Sequence, residues 1–204
     1  MSATGRSDVR RADDWYATPS WAVRAIWPKL AAFDTCLDPC AGQGAILLAL
    51  NELATMPRYY GIEIDEQRAT ICAKQNGIGC LLTDALVLDW RRLGAFGQSD
   101  LIITNPPYSL AQEFLEKALV SGASQVCFLL RLNFLESKKR AAFWRSHPCD
   151  VWVLPKRPSF TSKGTDATGY AWFLFGPGHQ RMLSAGKSAS GCSRQLGHWG
   201  ILDL

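Results

Sequence analysis

A chain of 204 residues suits one domain, large enough to bury roughly 70% of the surface its unfolded form would expose, and leaves little room for a second. Hydrophobic residues make up 48% and charged residues 20%, which excludes a disordered or fibrous chain, and no apolar run approaches the ~20 residues of a membrane-spanning helix. The net charge of +4 is compatible with a polyanionic partner but does not by itself point to one.

Residues 1–14 are polar and mixed in charge, without the apolar core of a secretory signal, so a flexible N-terminus and a cytoplasmic location are expected. Seven cysteines, an odd number mostly set in apolar segments, read as reduced thiols. Cys36 and Cys40 have no neighbouring Cys/His pair to complete a tetrahedral site, so no metal is expected. Residues 19–30 carry apolar side chains at helical spacing, with Pro28 ending or bending the helix late. Short apolar runs then alternate with helical stretches. Strands are predicted at 36–38, 59–64, 78–83, 101–104 and 125–130, and helices at 45–53, 66–75, 110–120 and 137–145. This alternation predicts a mostly parallel sheet with helices on both faces. Two further strands, 151–154 and 170–175, are joined by a polar loop without a helix and suit an antiparallel hairpin, seven strands in all. The Gly/Ser-rich segment 177–204 reads as a tail, flexible or docked at the periphery through Trp199, Ile201 and Leu202, and the functional unit is expected at 15–176.

Three strand ends carry acids. Asp38-Pro39-Cys40-Ala41-Gly42-Gln43-Gly44 places a carboxylate and two glycines where a strand gives way to a helix, a loop through which backbone can approach a ligand, or else a tight turn. Glu63 and Asp65 follow the second strand, where doubly wound folds hold a ribose diol; Glu63 is the better candidate and Asp65 suits helix capping. Asp84 follows the third, either to accept a hydrogen bond from an adenine amino group or to cap.

Asn105-Pro106-Pro107-Tyr108 is the most specific signal. An apolar strand runs into two prolines that stiffen the backbone and offer no N–H to compete for nearby carbonyls. The Asn105 side-chain oxygen and the Pro106 carbonyl can both accept from one planar amino group while the Tyr108 ring stacks on its base. Such a nitrogen is a poor nucleophile, and two acceptors aimed at its hydrogens favour the positive charge that develops as it attacks.

In order and spacing, Asp38-Pro39-x-x-Gly42-x-Gly44, Glu63, Asp84 and Asn105-Pro106-Pro107-Tyr108 resemble the amino-methyltransferases of the Rossmann-like class. Trp15-Tyr16-Ala17-Thr18-Pro19 looks like the N-terminal cofactor-binding segment of DNA adenine methyltransferases whose cofactor motifs precede the catalytic one. The resemblance spans residues 16–175. It implies a seven-stranded class I methyltransferase sheet and S-adenosylmethionine as cofactor. It places Asp38, Gly42, Gly44, Glu63, Asp84 and Asn105 against that cofactor, with Cys40, Ile64 and Ala85 beside them and Tyr16 and Thr18 closing over its methionine part. The implied reaction is direct transfer of a methyl group to the N6 amino group of adenine in DNA, with Tyr108 packed on an extruded base.

Residues 157–164 and 169–173 look like the late segment of small phage-encoded DNA adenine methylases, which implies Phe160 on the other face of the base, with Arg157 and Lys163 at phosphates. Lys138, Lys139, Arg140 and Arg145 are further phosphate candidates or an ordinary solvated helix face. No separate target-recognition domain is visible, so sequence preference is expected to be lax or supplied by a second subunit, the enzyme itself being a monomer or homodimer. RNA amino groups and protein glutamines are the same-chemistry alternatives, and an inactive DNA- or partner-binding module is the alternative of another class.

Overall fold

A computed structural model describes residues 16–92, 99–158, 168–176 and 199–202. Phe160, Lys163 and most of the N-terminal and tail segments lie outside the described residues.

The predicted alternation is present. Chain order runs α1 (Ser20–Ile26), β1 (Thr35–Asp38), α2 (Ala45–Leu53), β2 (Arg58–Glu63), α3 (Glu66–Ala73), β3 (Ile78–Leu82), β4 (Leu101–Thr104), α4 (Ala111–Leu119), β5 (Gln125–Arg131), α5 (Ala141–Ser146), β6 (Asp150–Val153), β7 (Tyr170–Phe175) and β8 (Trp199–Ile201). One sheet takes the order β3-β2-β1-β4-β5-β7-β6-β8. The pairs from β3 to β5 are parallel, and β7 lies antiparallel between β5 and β6. All four residues of β1 and of β4 are buried, as expected of central parallel strands covered on both faces. Two apolar clusters result. On one side α1 and α2 pack Ile26, Leu47 and Leu50 against the sheet, while on the other α4 brings Phe114, Leu115 and Leu119. Trp172 Nε1 donates to the Ala22 carbonyl at 2.9 Å and so pins α1 to β7 across 150 residues of sequence.

Beyond shifts of one or two residues, three features depart from the sequence reading. The first helix is α-helical only to Ile26, and Trp27–Lys29 tightens into a 3-10 turn around Pro28. α5 starts at Ala141 rather than 137, because Arg140 folds back to donate to the carbonyls of Phe134 (2.7 Å) and Glu136 (3.2 Å). An eighth strand, β8, pairs parallel with β6 and leads to Leu202, which is 3% exposed. Among the described residues no helix is long and apolar enough to cross a membrane.

Candidate active site

β1, β2 and β4 finish on Asp38, Glu63 and Thr104, and parallel pairing brings these C-terminal ends to the same end of the sheet, β2 running two residues past Asp38. That end opens into a cleft of about 910 Å³, within the range of small-molecule sites. Its walls include Tyr16 and Thr18 ahead of α1, Asp38 and Cys40 after β1, and Glu63, Ile64 and Arg68 after β2. Asp84 and Ala85 follow β3, and Asn105, Pro107 and Tyr108 follow β4. Residues as far apart as Tyr16 and Tyr108 thus face one space.

Gly42 and Gly44 shape the loop after β1 rather than line the cleft. Their φ angles are 54° and 86°, a left-handed conformation in which a side chain is strained. A Cβ on Gly44 would also meet Cys72 Sγ at 3.1 Å. The loop lies close over β2, where a Cβ on Gly61 would stand 2.6 Å from the Ala41 Cβ.

Each acid has a distinct setting. Asp38 is 1% exposed and accepts from the Cys40 N–H at 3.0 Å. Burial pushes its carboxyl up to about 7. The Thr104 hydroxyl, beside it but short of full hydrogen-bond geometry, and the Cys40 N–H oppose that shift, while the charge of Glu63 adds to it. Burial, then the Asp38 charge, raises the Cys40 thiol as well, which makes it a poor nucleophile. Glu63 is 6% exposed and already held on both oxygens. Its Oε2 accepts from the Gly42 N–H at 2.8 Å, while Oε1 accepts from the Asp65 N–H at 2.9 Å and from Arg68 Nε and Nη2 at 3.2 Å each. Oε2 therefore has capacity for one more donor. Asp65 caps α3, accepting from the Arg68 N–H at 2.9 Å. Asp84 lines the cleft and also accepts from the Leu86 N–H at 2.8 Å, a local turn bond.

At the catalytic corner, Asn105 Nδ2 donates to Thr18 Oγ1 at 3.1 Å. This turns Oδ1 away from Thr18, and Oδ1 is buried with no hydrogen-bond partner among the described residues. An unmatched buried carbonyl oxygen is unfavourable by about 1–3 kcal/mol, so the corner is built to receive a donor. The Pro107 carbonyl is committed to the Leu110 N–H at 2.9 Å, and Pro106 is buried behind it. Tyr108 lines the cleft with the Arg131 guanidinium 4.2 Å from its ring centroid.

The remaining candidates are scattered. Arg157 is exposed and outside the cleft lining, and Lys156 lies over the Trp21 ring at 4.7 Å. Lys138, Lys139 and Arg145 are exposed, whereas Arg140 is occupied with the carbonyls named above and the Phe134 ring. Two participants, Arg68 and Arg131, were not read from the sequence, and Thr18 has a role beyond the one expected of it. Thr18 acts on Asn105 as well as lining the cleft, Arg68 holds Glu63, and Arg131 covers Tyr108. Arg68 alone carried a signal, since a basic residue three positions after a capping Asp lies over that cap. Among the described residues there is no cluster of ligand-type side chains that would hold a metal.

The architecture is the class I fold of S-adenosylmethionine-dependent methyltransferases. A protein from Pyrococcus horikoshii assigned as an RNA methyltransferase superimposes with a TM-score of 0.60 at 16% identity, over 80% of this chain and 86% of its own. An assigned O-methyltransferase from Agrobacterium tumefaciens gives 0.55 at 17% identity, over 90% of this chain and 85% of its own. A dimethyladenosine transferase from Plasmodium falciparum gives 0.53 at 16% identity, over 78% of this chain and 62% of its own. No family model matches the sequence, and no curated protein matches it. At these identities the likeness defines the fold, and the reaction has to be argued from the cleft.

Proposed function

We propose that this protein is an S-adenosylmethionine-dependent methyltransferase that methylates the N6 amino group of adenine in DNA. The observation that carries the reading is the buried, unmatched Oδ1 of Asn105, held in that orientation by Thr18 at the mouth of a cleft walled by acids.

The residues fit the cofactor. Its sulfonium and ammonium suit a pocket that contains Asp38, its ribose hydroxyls suit the open side of Glu63 Oε2, and its adenine suits the exposed apolar side chain of Ile64 beside Asp84. When bound, the cofactor would supply an electrophilic methyl group whose leaving group is a neutral thioether. The chain's own residues do the rest. Asn105 Oδ1 and the Pro106 carbonyl accept the two amino hydrogens of the target, which draws electron density onto the nitrogen and stabilises the charge it gains. Tyr108 packs on the base and holds the nitrogen in line with the methyl group. In the transfer the N–C bond would form as the S–C bond broke, and the extra amino proton would leave to solvent. No general base is needed before attack.

DNA as the polymer rests on the resemblance of residues 157–173 and on the exposed Lys156 and Arg157 after β6. Tritium transfer from labelled cofactor tests the reading, with duplex DNA, single-stranded DNA, structured RNA and a glutamine-bearing protein in parallel. Label in N6-methyladenine of DNA supports it. Label confined to RNA keeps the chemistry and replaces the substrate. No transfer to any acceptor, together with no cofactor binding, refutes it.

A further inference from the structure

Arg131 closes β5 and pairs in register with Tyr170, the first residue of β7. The next residue, Leu132, donates its N–H to the Gly169 carbonyl at 2.9 Å, so the end of β5 is fastened to the point where the 155–169 loop rejoins the sheet. From that position Arg131 does two things with one planar group. Its Nε donates to Tyr170 Oη at 3.0 Å, and its guanidinium carbon stands 4.2 Å from the centroid of Tyr108. The Tyr108 and Tyr170 rings are 5.9 Å apart and tilted by 49°. Tyr108 lines the cleft, whereas Arg131 is not among the residues that do.

We propose that Arg131 is a positioning residue that acts through Tyr108, and that it ties the ring which receives the base to the root of the 155–169 loop. This rests on the amino-methyltransferase reading of the cleft. The guanidinium over the ring restricts its motion, while Tyr108 also lines the cleft where a planar substrate would enter. Stacking fixes the ring's tilt, while the bond to Tyr170, itself 1% exposed, ties the guanidinium to the core. Lysine cannot replace it. An ammonium keeps the charge but offers neither a plane to stack nor a fork that donates sideways at the same time. Gly169 and the catalytic corner are thereby linked through one side chain.

Single-turnover methyl transfer to adenine-containing DNA tests this in the wild type, R131K, R131M, Y108A and the R131M/Y108A pair, with cofactor affinity and thermal unfolding measured on each. R131M and R131K are both expected to slow transfer by about ten-fold or more, the combined scale of a buried cation–π contact and a charged hydrogen bond, with cofactor affinity within about two-fold of wild type. In the Y108A background R131M is expected to have no further effect, because a residue that works through Tyr108 has nothing left to position. Additive losses in the pair, or wild-type rates in R131M, overturn the proposal. Tyrosine ring NMR supplies a readout that needs no substrate. R131M should release the Tyr108 ring to fast averaging, and unchanged Tyr108 signals in a folded R131M overturn the proposal even if the wild type proves to methylate something else. Absence of transfer by the wild type refutes the functional reading and leaves the ring measurement to decide this one.

Discussion

Cofactor affinity should rise with pH through neutrality because of Asp38. This carboxyl is buried, and burial lifts it to about 7 from an ordinary 3.8, so near pH 6 most of the free protein carries it protonated. A cationic ligand beside it favours the ionised form. Binding below pH 7 therefore releases a proton, and affinity loses about ten-fold for each pH unit of acidification. Between pH 7.5 and 5.5 the dissociation constant should increase about 25-fold from the Asp38 titration. Calorimetry in two buffers of different ionisation enthalpy measures both the affinity and the proton released. Asp38→Asn should bind weakly and show no such slope. A second consequence has the opposite sign. A group whose folded pKa is raised favours the fold where only the folded form holds the proton, so its contribution declines as pH climbs from about 4 to about 7. Asp38→Asn should therefore raise the melting temperature at pH 7.5 while weakening binding. A flat affinity profile, or a slope that survives in Asp38→Asn, refutes the assignment of the charge to this residue.

Asn105→Ala should lower kcat by about 10²–10³ with cofactor affinity within a few-fold, as removal of a group that acts on developing charge does; normal turnover in a folded variant removes the mechanism. Thr18→Val deletes the acceptor that turns Asn105 and should reduce kcat by about ten-fold through loss of one hydrogen bond, while Thr18→Ser should retain most of it. Gly61→Ala places a methyl group 2.6 Å from the Ala41 side chain and must push the loop after β1 outward. Urea unfolding should show a loss of about 1–3 kcal/mol together with weaker cofactor binding, and an unperturbed variant would mean that the loop yields without consequence.

The sequence made the strands and the cofactor edge legible because both rest on local patterns. Apolar runs bounded by Gly, Pro or Asp mark β4 and β7 at their observed limits, and the helix predicted at 45–53 coincides with α2. Asp38, Glu63 and Asn105 stand where such runs stop, so their convergence follows from parallel pairing alone. What escaped depends on contacts distant in sequence. Nothing local to Thr18 indicates a bond to a side chain 87 residues away, and nothing local to Arg131 indicates a ring 23 positions earlier. β8 escaped for a different reason, since Trp199–Ile201 is three residues long and forms a strand only because the edge of β6 is there to pair with.

The distribution of charge argues for what the cleft holds. The chain as a whole is basic, yet the described walls of the cleft include Asp38, Glu63 and Asp84 and one cation, Arg68, which is already paired with Glu63. An anionic ligand would meet uncompensated carboxylates in a partly dehydrated space. A small cation would favour the ionised form of Asp38, whose carboxyl is held up at about 7 by burial and then by the charge of Glu63. The positive excess is carried outside, on exposed residues such as Lys138, Lys139, Arg145, Lys156 and Arg157. Under the proposed reaction this pattern suits a cationic cofactor within the cleft, beside Asn105, a neutral amide that can stand next to that charge and still aim one buried oxygen at the atom that reacts.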